Sequence, residues 1–208
     1  MRIAIIGAGA VGSALGLAWL KAGHDVSFGV RNPGDAKYGK LPTERLTEPA
    51  RAAAGADVIV LATPWEATEG VVTGLGDLSG RILIDCTNPV GMGPDGLELV
   101  IGHRISGGEM VAGWATGAHV FKAFNQTGAE NMADISRYIP TAAMFVAGDN
   151  RMLKPAVLGL VRDLGFAAID AGPLRIARLL EPLAMLWMDQ ALYRGAGLDF
   201  AFAVVKRG

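Results

Sequence analysis

Short apolar runs recur along the chain, and stretches that favour helix lie between most of them. The runs that suit buried strands cover residues 2–6, 25–30, 57–62, 81–85, 120–124 and 142–147. Strands that are apolar at nearly every position are typical of parallel sheets, because helices cover both faces of such sheets. The alternation of strand and helix therefore predicts an α/β protein of the doubly wound, Rossmann-like class with a mainly parallel sheet.

The first run belongs to an uncharged stretch from Ile3 to Leu20, which is barely long enough to cross a bilayer. Its four glycines disfavour a spanning helix, since glycine costs roughly 1 kcal/mol relative to alanine in a helix interior. A secretion signal is also disfavoured, because Arg2 is a weak basic leader and no small-residue cleavage site follows. The stretch is better interpreted as a strand, a glycine turn and a helix that ends at Gly23.

Gly7, Gly9 and Gly12 follow the first strand with G-x-G-x-x-G spacing. In this pattern the first glycine allows a sharp turn, the second lets the backbone approach a pyrophosphate, and the third lets helix and strand pack closely. Ala10 and Val11 lie at the start of the helix, where unpaired N–H groups and the helix dipole favour phosphate. The pattern and its position after a strand predict a dinucleotide-binding site.

The end of the second strand indicates which dinucleotide is bound. Sites that prefer NAD place an acidic residue there to hold the ribose 2′-hydroxyl, but this chain has Arg31 and Asn32. A guanidinium can pair with a 2′-phosphate through two hydrogen bonds, so the sequence favours NADP(H). The alternative is that Arg31 is an ordinary solvent-facing arginine. Lys37 would add charge if the following loop brought it close.

The remaining elements divide the chain at residue 148. The segment 32–46 is too short and too rich in turn residues for a full helix, so we expect one abbreviated crossover. Helices are predicted to begin at residues 47–49 and to run from 106 through 113. Later we expect a helix over 150–164, a strand over 166–170 and a long helix over 174–193. We therefore predict a nucleotide-binding Rossmann domain over 1–148 and a small α-rich appendage over 149–208.

Three strand ends are rich in neutral polar residues and poor in charge. Open α/β sheets bind ligands beyond the carboxyl ends of their strands. Neutral amides and hydroxyls suit a planar amide such as nicotinamide and do not suit strong acid or base catalysis. The candidate cofactor-binding residues at these ends are Ala62, Thr63, Pro64, Asn88, Gly128 and Ala129, and the candidate ring-facing residues are Asn125, Gln126 and Thr127.

The sequence shows no Ser–Tyr–Lys set, no motif of histidine with carboxylate and no metal cluster, so we name no acid–base catalyst and no metal ligand. Cys86 is expected to be a buried small residue. Direct hydride transfer between nicotinamide and a flavin-like ring fits this inventory, because the cofactors carry the chemistry and the protein positions them. The net charge of −1 gives no field that would recruit nucleic acid or an anionic membrane.

Five segments together resemble the NADP oxidoreductases that depend on the deazaflavin coenzyme F420: "RIAIIGAGAVG", "LATPWEAT", "ILIDCTNPV", "VFKAFNQTG" and "GFAAIDAGPLRIARLLEPLAMLWM". The resemblance covers essentially the whole chain and implies hydride exchange between NADPH and F420. It implies that Arg31 and Asn32 hold the 2′-phosphate, that Thr63 and Pro64 approach nicotinamide, and that residues 125–129 face the stacked rings. It also implies a homodimer in which the C-terminal region helps to form the deazaflavin pocket. The single cysteine, Cys86, cannot form an internal disulfide, and from it we expect a cytoplasmic location.

Two departures keep other acceptors open. This chain has Asn125 where the archaeal enzymes tend to have histidine, and Val30 where they tend to have serine. The segment "KAFN" is more similar to the nucleotide domain of the STEAP metalloreductases, which pass hydride from NADPH to flavin. The alternatives are therefore an FMN or FAD reductase, a reductase of a small substrate, or an NADPH-binding regulatory protein without turnover.

Two further features each leave two interpretations. Lys122 in "KAFN" is either part of a flavin-reductase pattern or a strand lysine in a local ion pair, and we favour the ion pair. Trp187 and Phe200 in the appendage either contact a second ring-shaped ligand or belong to a core or dimer interface.

Overall fold

In a computed structural model, which describes residues 1–94 and 96–207, the apolar runs pair into one eight-stranded sheet. The strands are β1 (Arg2–Ile6), β2 (Asp25–Gly29), β3 (Leu46–Thr47), β4 (Val58–Leu61), β5 (Ile82–Asp85), β6 (Val90–Gly93), β7 (Gly96–Leu99), β8 (His119–Lys122), β9 (Ala143–Gly148) and β10 (Ala167–Gly172). The order across the sheet is β10-β9-β8-β5-β4-β1-β2-β3, and β6 and β7 form a separate antiparallel hairpin.

All neighbours in the large sheet are parallel except β8 and β9, which are antiparallel. β1 lies between β2 and β4, and from it the chain builds the sheet first to one side and then to the other. This is the topological switch point at which open α/β sheets bind ligands. The predicted class, a Rossmann-like and mainly parallel sheet, is confirmed.

Seven α-helices among the described residues surround the sheet. They are α1 (Ala10–Lys21), α2 (Pro49–Ala54), α3 (Trp65–Thr73), α4 (Gly107–Trp114), α5 (Ala129–Ala133), α6 (Lys154–Asp163) and α7 (Ala177–Tyr193). The uncharged opening stretch is β1 followed by α1, as predicted. The abbreviated crossover over 32–46 contains only two single-turn 3₁₀ helices. No helix among residues 1–94 and 96–207 combines the length and the apolar character that a membrane crossing requires.

Alternate residues of each central strand enter different cores. Ile3 and Ile5 of β1 pack into one cluster with Trp19 of α1, whereas Ala4 and Ile6 pack into a second cluster on the opposite face. Side chains that alternate in this way must be apolar at every position when both faces are covered. This explains why the strands were recognisable as continuous apolar runs.

The sheet continues beyond residue 148, which the sequence had placed at the boundary of the appendage. α6 returns the chain so that β10 pairs in parallel with β9, from Ala167 beside Ala143 to Gly172 beside Ala147. The predicted boundary therefore falls between two paired strands, and the part without sheet strands begins only after Gly172. α6 also begins later than residue 150, because the Asn150 side chain accepts the N–H groups of Met152 and Leu153 and forms a turn first.

Candidate functional site

The glycine turn after β1 is shaped by close backbone packing. Gly7 has a φ of +98°, a conformation that favours glycine, and a Cβ atom there would lie 2.5 Å from the carbonyl oxygen of Ala62 at the end of β4. A Cβ atom on Gly12 would overlap the carbonyl oxygen of Gly7. Gly9 differs, since a Cβ atom there would meet no protein atom within 4 Å. The fold therefore requires glycine at positions 7 and 12, whereas the space beside Gly9 is open to a bound molecule.

The first turn of α1 is open to a ligand. Gly9 is the N-cap residue and provides no side chain to accept the first N–H groups of the helix. These groups have no partner within a helix, and with the helix dipole they form a site for anions. Ala10 lies in this turn and lines the adjoining pocket, whereas Val11 and Gly12 lie behind it.

A pocket of about 900 Å³ extends from this turn along the carboxyl edge of the sheet. It brings together eight of the predicted cofactor residues: Gly7, Gly9, Ala10, Arg31, Asn32, Ala62, Thr63 and Pro64. Part of the wall consists of small residues of α3 (Ala67 and Gly70) and of Gly74 just after it, together with Pro49 and Ala50 of α2. The pocket thus joins the glycine turn to the end of β2, as a dinucleotide requires.

Two cations line the pocket at the end of β2. Arg31 is exposed and makes no ion pair with any residue in 1–94 or 96–207. The Lys37 ammonium lies 3.0 Å from Asp35 and 4.9 Å from the centre of the Tyr38 ring. A hydrogen bond to Asp35 raises the pKa of Lys37, which stays protonated. The sequence left Lys37 open, and the short helical turn over Ala36–Tyr38 brings it to the pocket wall.

The candidate amides near the ends of β5 and β8 lie inside the protein. Asn125 is 4% exposed and Gln126 is 3% exposed. Asn125 Nδ2 donates to Asn88 Oδ1 at 3.0 Å and to the Leu180 carbonyl at 3.1 Å, and its Oδ1 accepts from Gln126 Nε2 at 2.8 Å. Gln126 exchanges two further hydrogen bonds with the backbone of Phe145. These side chains are buried and satisfied by protein partners, and they join α7 and β9 to the strand ends.

Thr127, Gly128 and Ala129 lie beside the appended helix. Thr127 Oγ1 accepts a hydrogen bond from Asn131, and Ala129 begins α5. A Cβ atom on Gly128 would lie 2.7 Å from the Trp187 ring. Trp187 in turn stacks on Phe200, with ring centres 5.3 Å apart, and donates its indole N–H to the Phe200 carbonyl. The two aromatic residues therefore pack against each other, which corresponds to the core interpretation.

Comparison with known proteins agrees with this geometry. A family described as NADP oxidoreductase, coenzyme F420-dependent, matches residues 2–89. A crystal structure from Arthrobacter sp. FB24, provisionally described as an F420-dependent NADP-reductase, is 30% identical with a TM-score of 0.90. That similarity covers 99% of this chain and 100% of the other. The chain belongs to the F420-dependent NADP oxidoreductase family.

Two curated proteins are also similar to this family member over much of its length. Metalloreductase STEAP3 of Rattus norvegicus is 28% identical over 188 residues, which are 89% of this chain and 37% of STEAP3. A glycerol-3-phosphate dehydrogenase [NAD(P)+] of Jannaschia sp. (strain CCS1) is 28% identical over 161 residues, which are 72% of this chain and 46% of the dehydrogenase. The chain thus spans less than half the length of each. Together these similarities identify it as a member of an NADP-dependent oxidoreductase family.

Three charged side chains form a buried cluster in this protein. Lys122 of β8 lies 2.8 Å from Asp85 of β5 and 2.9 Å from Glu181 of α7, and all three side chains are at most 1% exposed. Burial alone lowers the pKa of Lys122, but attraction to Asp85 and Glu181 outweighs it and keeps the pKa above its ordinary value. The predicted local ion pair of Lys122 is confirmed. Glu181 was not recognised from the sequence, because nothing local indicates that a helix carboxylate reaches a distant strand.

The other titratable candidates are structural. Burial raises the pKa of the Cys86 thiol, so it stays protonated and unreactive near neutral pH. His24 contacts Asp163 at 3.0 Å, and a ring nitrogen of His119 lies 3.2 Å from the Asn150 amide. None of these three side chains lines the pocket.

Proposed function

We propose that this protein transfers hydride between NADPH and the deazaflavin coenzyme F420. The observation that carries the proposal is the pocket that joins an uncapped helix N-terminus at Gly9 to the free cation of Arg31. Family membership supports the deazaflavin as acceptor. We also propose a cytoplasmic location, and the single cysteine, a free thiol, is compatible with a reducing compartment.

The residues present fit NADP(H). The space beside Gly9 and the N–H groups of α1 suit the pyrophosphate, and Arg31, Asn32 and Lys37 suit the 2′-phosphate. The small side chains of α3 leave room for the adenine. When bound, NADPH supplies the hydride. Lys37 is already paired with Asp35, whereas Arg31 has no ion-pair partner among the described residues and is the pocket cation that an extra phosphate would meet.

The contribution of the protein to catalysis is orientation and exclusion of water. Thr63 and Pro64 lie at the pocket end nearest β4, where neutral polar groups suit the carboxamide of nicotinamide. Thr63 Oγ1 is 3.0 Å from Thr68 Oγ1, and Thr68 donates to the Pro64 carbonyl, so the start of α3 is fixed. Hydride transfer between two rings requires alignment rather than a general acid, and the neutral groups of Thr63 and Pro64 at this end of the pocket agree with this requirement.

The same proposal includes a homodimer. Leu179 and Leu186, which are 65% and 50% exposed, lie on the outer face of α7. Met92 of the hairpin, which packs against α7, is 74% exposed, and Val100 immediately after it is 50% exposed. Contiguous exposed apolar side chains are typical of protein interfaces. A second copy covering this face would enclose the acceptor side of the site, and sedimentation of the purified protein measures the oligomeric state.

The decisive experiment measures NADPH oxidation with F420, with FMN, with FAD and without an acceptor. We expect oxidation that depends on F420 and that is slow or absent in the other three mixtures. Absence of oxidation with F420 would contradict the proposal. Tight binding of NADPH without turnover in any mixture would instead support a regulatory protein.

A flavin is the second candidate acceptor. The observation that favours it is the similarity to STEAP3 over 89% of the chain, together with the "KAFN" segment at the end of β8. Oxidation of NADPH that depends on FMN or FAD, and not on F420, would establish this alternative. Both candidates use the same nucleotide pocket, so the acceptor series separates them.

A further inference from the structure

We propose that Glu181 is a positioning residue for the hydride acceptor: its buried carboxylate fixes α7 against the strand ends that border the acceptor side of the site. This inference rests on the function proposed above. The Glu181 side chain does not line the nucleotide pocket. Its positioning role follows from the groups that its two carboxylate oxygens bind.

The Glu181 carboxylate holds three structural elements together. Its Oε2 accepts the Gly107 N–H at 2.9 Å, and its Oε1 accepts the Gly108 N–H at 3.0 Å. Oε1 also lies 2.9 Å from the Lys122 ammonium. The carboxylate of α7 therefore binds the N-terminus of α4 and a cation of β8 at the same time, and its negative charge strengthens both interactions.

The Lys122 ammonium passes this constraint to the loop after β5. It donates to Asp85 Oδ2 at 2.8 Å and to the Thr87 carbonyl at 2.5 Å. The other oxygen of Asp85 accepts the N–H and the hydroxyl of Thr87 at 2.9 and 2.7 Å. The backbone of Thr87 is thus held from both sides by the buried charges.

A second set of contacts connects the same helix position to the loop after β8. The Leu180 carbonyl, which precedes Glu181, accepts from the Asn125 amide at 3.1 Å. Asn125 and Asn88 exchange two hydrogen bonds, of 3.0 and 2.9 Å, between the loops that follow the paired strands β8 and β5. Two adjacent residues of α7 therefore fix both loops at the carboxyl edge of the sheet, where ligands of such sheets bind.

The packing leaves little room for α7 to move. A Cβ atom on Gly107 would lie within 3.2 Å of the Trp65 ring, of Pro89 and of Glu181 itself. Trp65 follows Pro64 of the pocket wall, and Pro89 follows Asn88. Gly107 of α4 is thus closely surrounded by Glu181 of α7 and by Trp65 and Pro89, the neighbours of Pro64 and Asn88, and we expect a displacement of α7 to disturb both of these segments.

The test uses two substitutions of Glu181 in the full-length protein, with NADPH and F420 as substrates. Glu181→Gln removes the negative charge and places an amide N–H donor opposite one of the N–H donors that the carboxylate binds. Glu181→Asp keeps the charge but shortens the side chain. We expect both to raise the KM for F420 or lower kcat by about tenfold or more, because small misplacements of reacting groups have large effects on rate. The Kd of NADPH, measured by its fluorescence, is expected to stay unchanged.

The matched control is Glu109→Gln. Glu109 also joins α4 to α7, through Arg178 at 2.6 and 2.8 Å, but this pair is partly exposed and lies outside the buried cluster. We expect it to leave the KM for F420 unchanged. Equal changes for NADPH and F420 in the Glu181 variants, or a normal Glu181→Asp variant, would overturn the positioning role and leave only a role in stability.

A second measurement keeps the inference separate from the identity of the acceptor. Amide hydrogen exchange in Glu181→Gln is expected to speed up at residues 86–88 and 125–128 and to remain unchanged at the glycine turn, residues 7–12. Unchanged exchange at the two loops would contradict the inference. If the wild-type protein reduces none of the acceptors, the proposed function fails, and the exchange comparison still decides whether Glu181 positions these loops.

Discussion

The two ends of the ligand-binding edge of the sheet differ in whether their polar groups are free or paired. At the glycine turn, the backbone of Gly7 and Gly9 and the exposed guanidinium of Arg31 face an open pocket. At the α7 end, Lys122 and Glu181 are at most 1% exposed and bind only protein atoms. In the first region the polar groups are available to bind phosphate. In the second they are paired with one another and fix the position of α7.

The difference shows why charge has a different meaning in the two regions. An exposed cation costs little to maintain and can interact with a ligand phosphate as soon as one binds. A buried ion pair contributes weakly to net stability, yet removal of one partner leaves an uncompensated charge and is strongly destabilising. We therefore expect substitutions of Gly9 and Arg31 to change binding and those in the buried cluster to change folding or geometry.

The largest effect is expected for Lys122→Met. This change leaves Asp85 and Glu181 as buried carboxylates without their cation, and breaking such a pair typically costs about 3–5 kcal/mol of unfolding free energy. Urea denaturation at neutral pH measures it. Lys37→Met is the matched control, since that lysine is exposed, and its urea midpoint should equal that of the wild type. Equal midpoints for both variants would contradict the distinction between the two regions.

Gly9→Ala is expected to abolish most NADPH binding without loss of stability. Gly9 has ordinary extended backbone angles and no protein atom near its Cβ direction, so alanine is tolerated by the fold. Its methyl group would occupy the space beside the α1 N-terminus and raise the Kd of NADPH by about a hundredfold, as misplaced contacts can. Gly159→Ala in α6 also meets no protein atom and is the control. Unchanged NADPH affinity in Gly9→Ala would place the pyrophosphate elsewhere.

Arg31→Ala should separate NADPH from NADH. Loss of a charged hydrogen bond of about 1.5–3 kcal/mol predicts a roughly ten- to hundredfold higher KM for NADPH. The KM for NADH should hardly change, because NADH has no 2′-phosphate. Arg194→Ala is the control, since Arg194 pairs with Asp189 at the end of α7. Equal effects of Arg31→Ala on both cofactors would refute the assignment of this arginine to the phosphate.

The smallest effect concerns the acid stability of the α4–α7 contact. Hydrogen bonds from Arg178 hold the pKa of Glu109 at about 2, below its ordinary value of 4.5. A lowered pKa means that the pair stabilises the fold above about pH 4.5 and that this stabilisation is lost as the pH falls towards 2. Because the pair is partly exposed, we expect about 1 kcal/mol or less. Thermal unfolding between pH 2 and pH 5 should show a shallower decline for Glu109→Gln than for the wild type.

Much of the fold and of the nucleotide site could be predicted because both depend on local patterns. A strand covered on both faces must be apolar throughout, and a turn that admits a pyrophosphate must lack side chains, so residues 2–12 carry their own signal. The pairing of β10 with β9 could not be predicted in this way. It depends on where α6 returns the chain, and the sequence of a short strand does not name its neighbour.

The acceptor side was less predictable for a related reason. Asn125 and Gln126 have the residue types expected of a polar binding site, yet their amides are satisfied by Asn88, Leu180 and Phe145. The residue type determines which groups a side chain can bind. Its neighbours in the fold determine whether its hydrogen-bonding atoms are already paired. The prediction for Lys122 succeeded because a lysine in an apolar strand must find a carboxylate, whichever one it is.

By itself, the sequence determined the Rossmann-like class, the glycine turn and the cation at the end of β2, since each follows from residues close together in the chain. Only the tertiary structure decided that Lys37 reaches the pocket, that the sheet extends to Gly172, and that Glu181 meets Lys122. The physical reason is that these contacts join residues whose distance along the chain sets no limit on their distance in space. Burial then makes a distant partner obligatory without specifying which residue provides it.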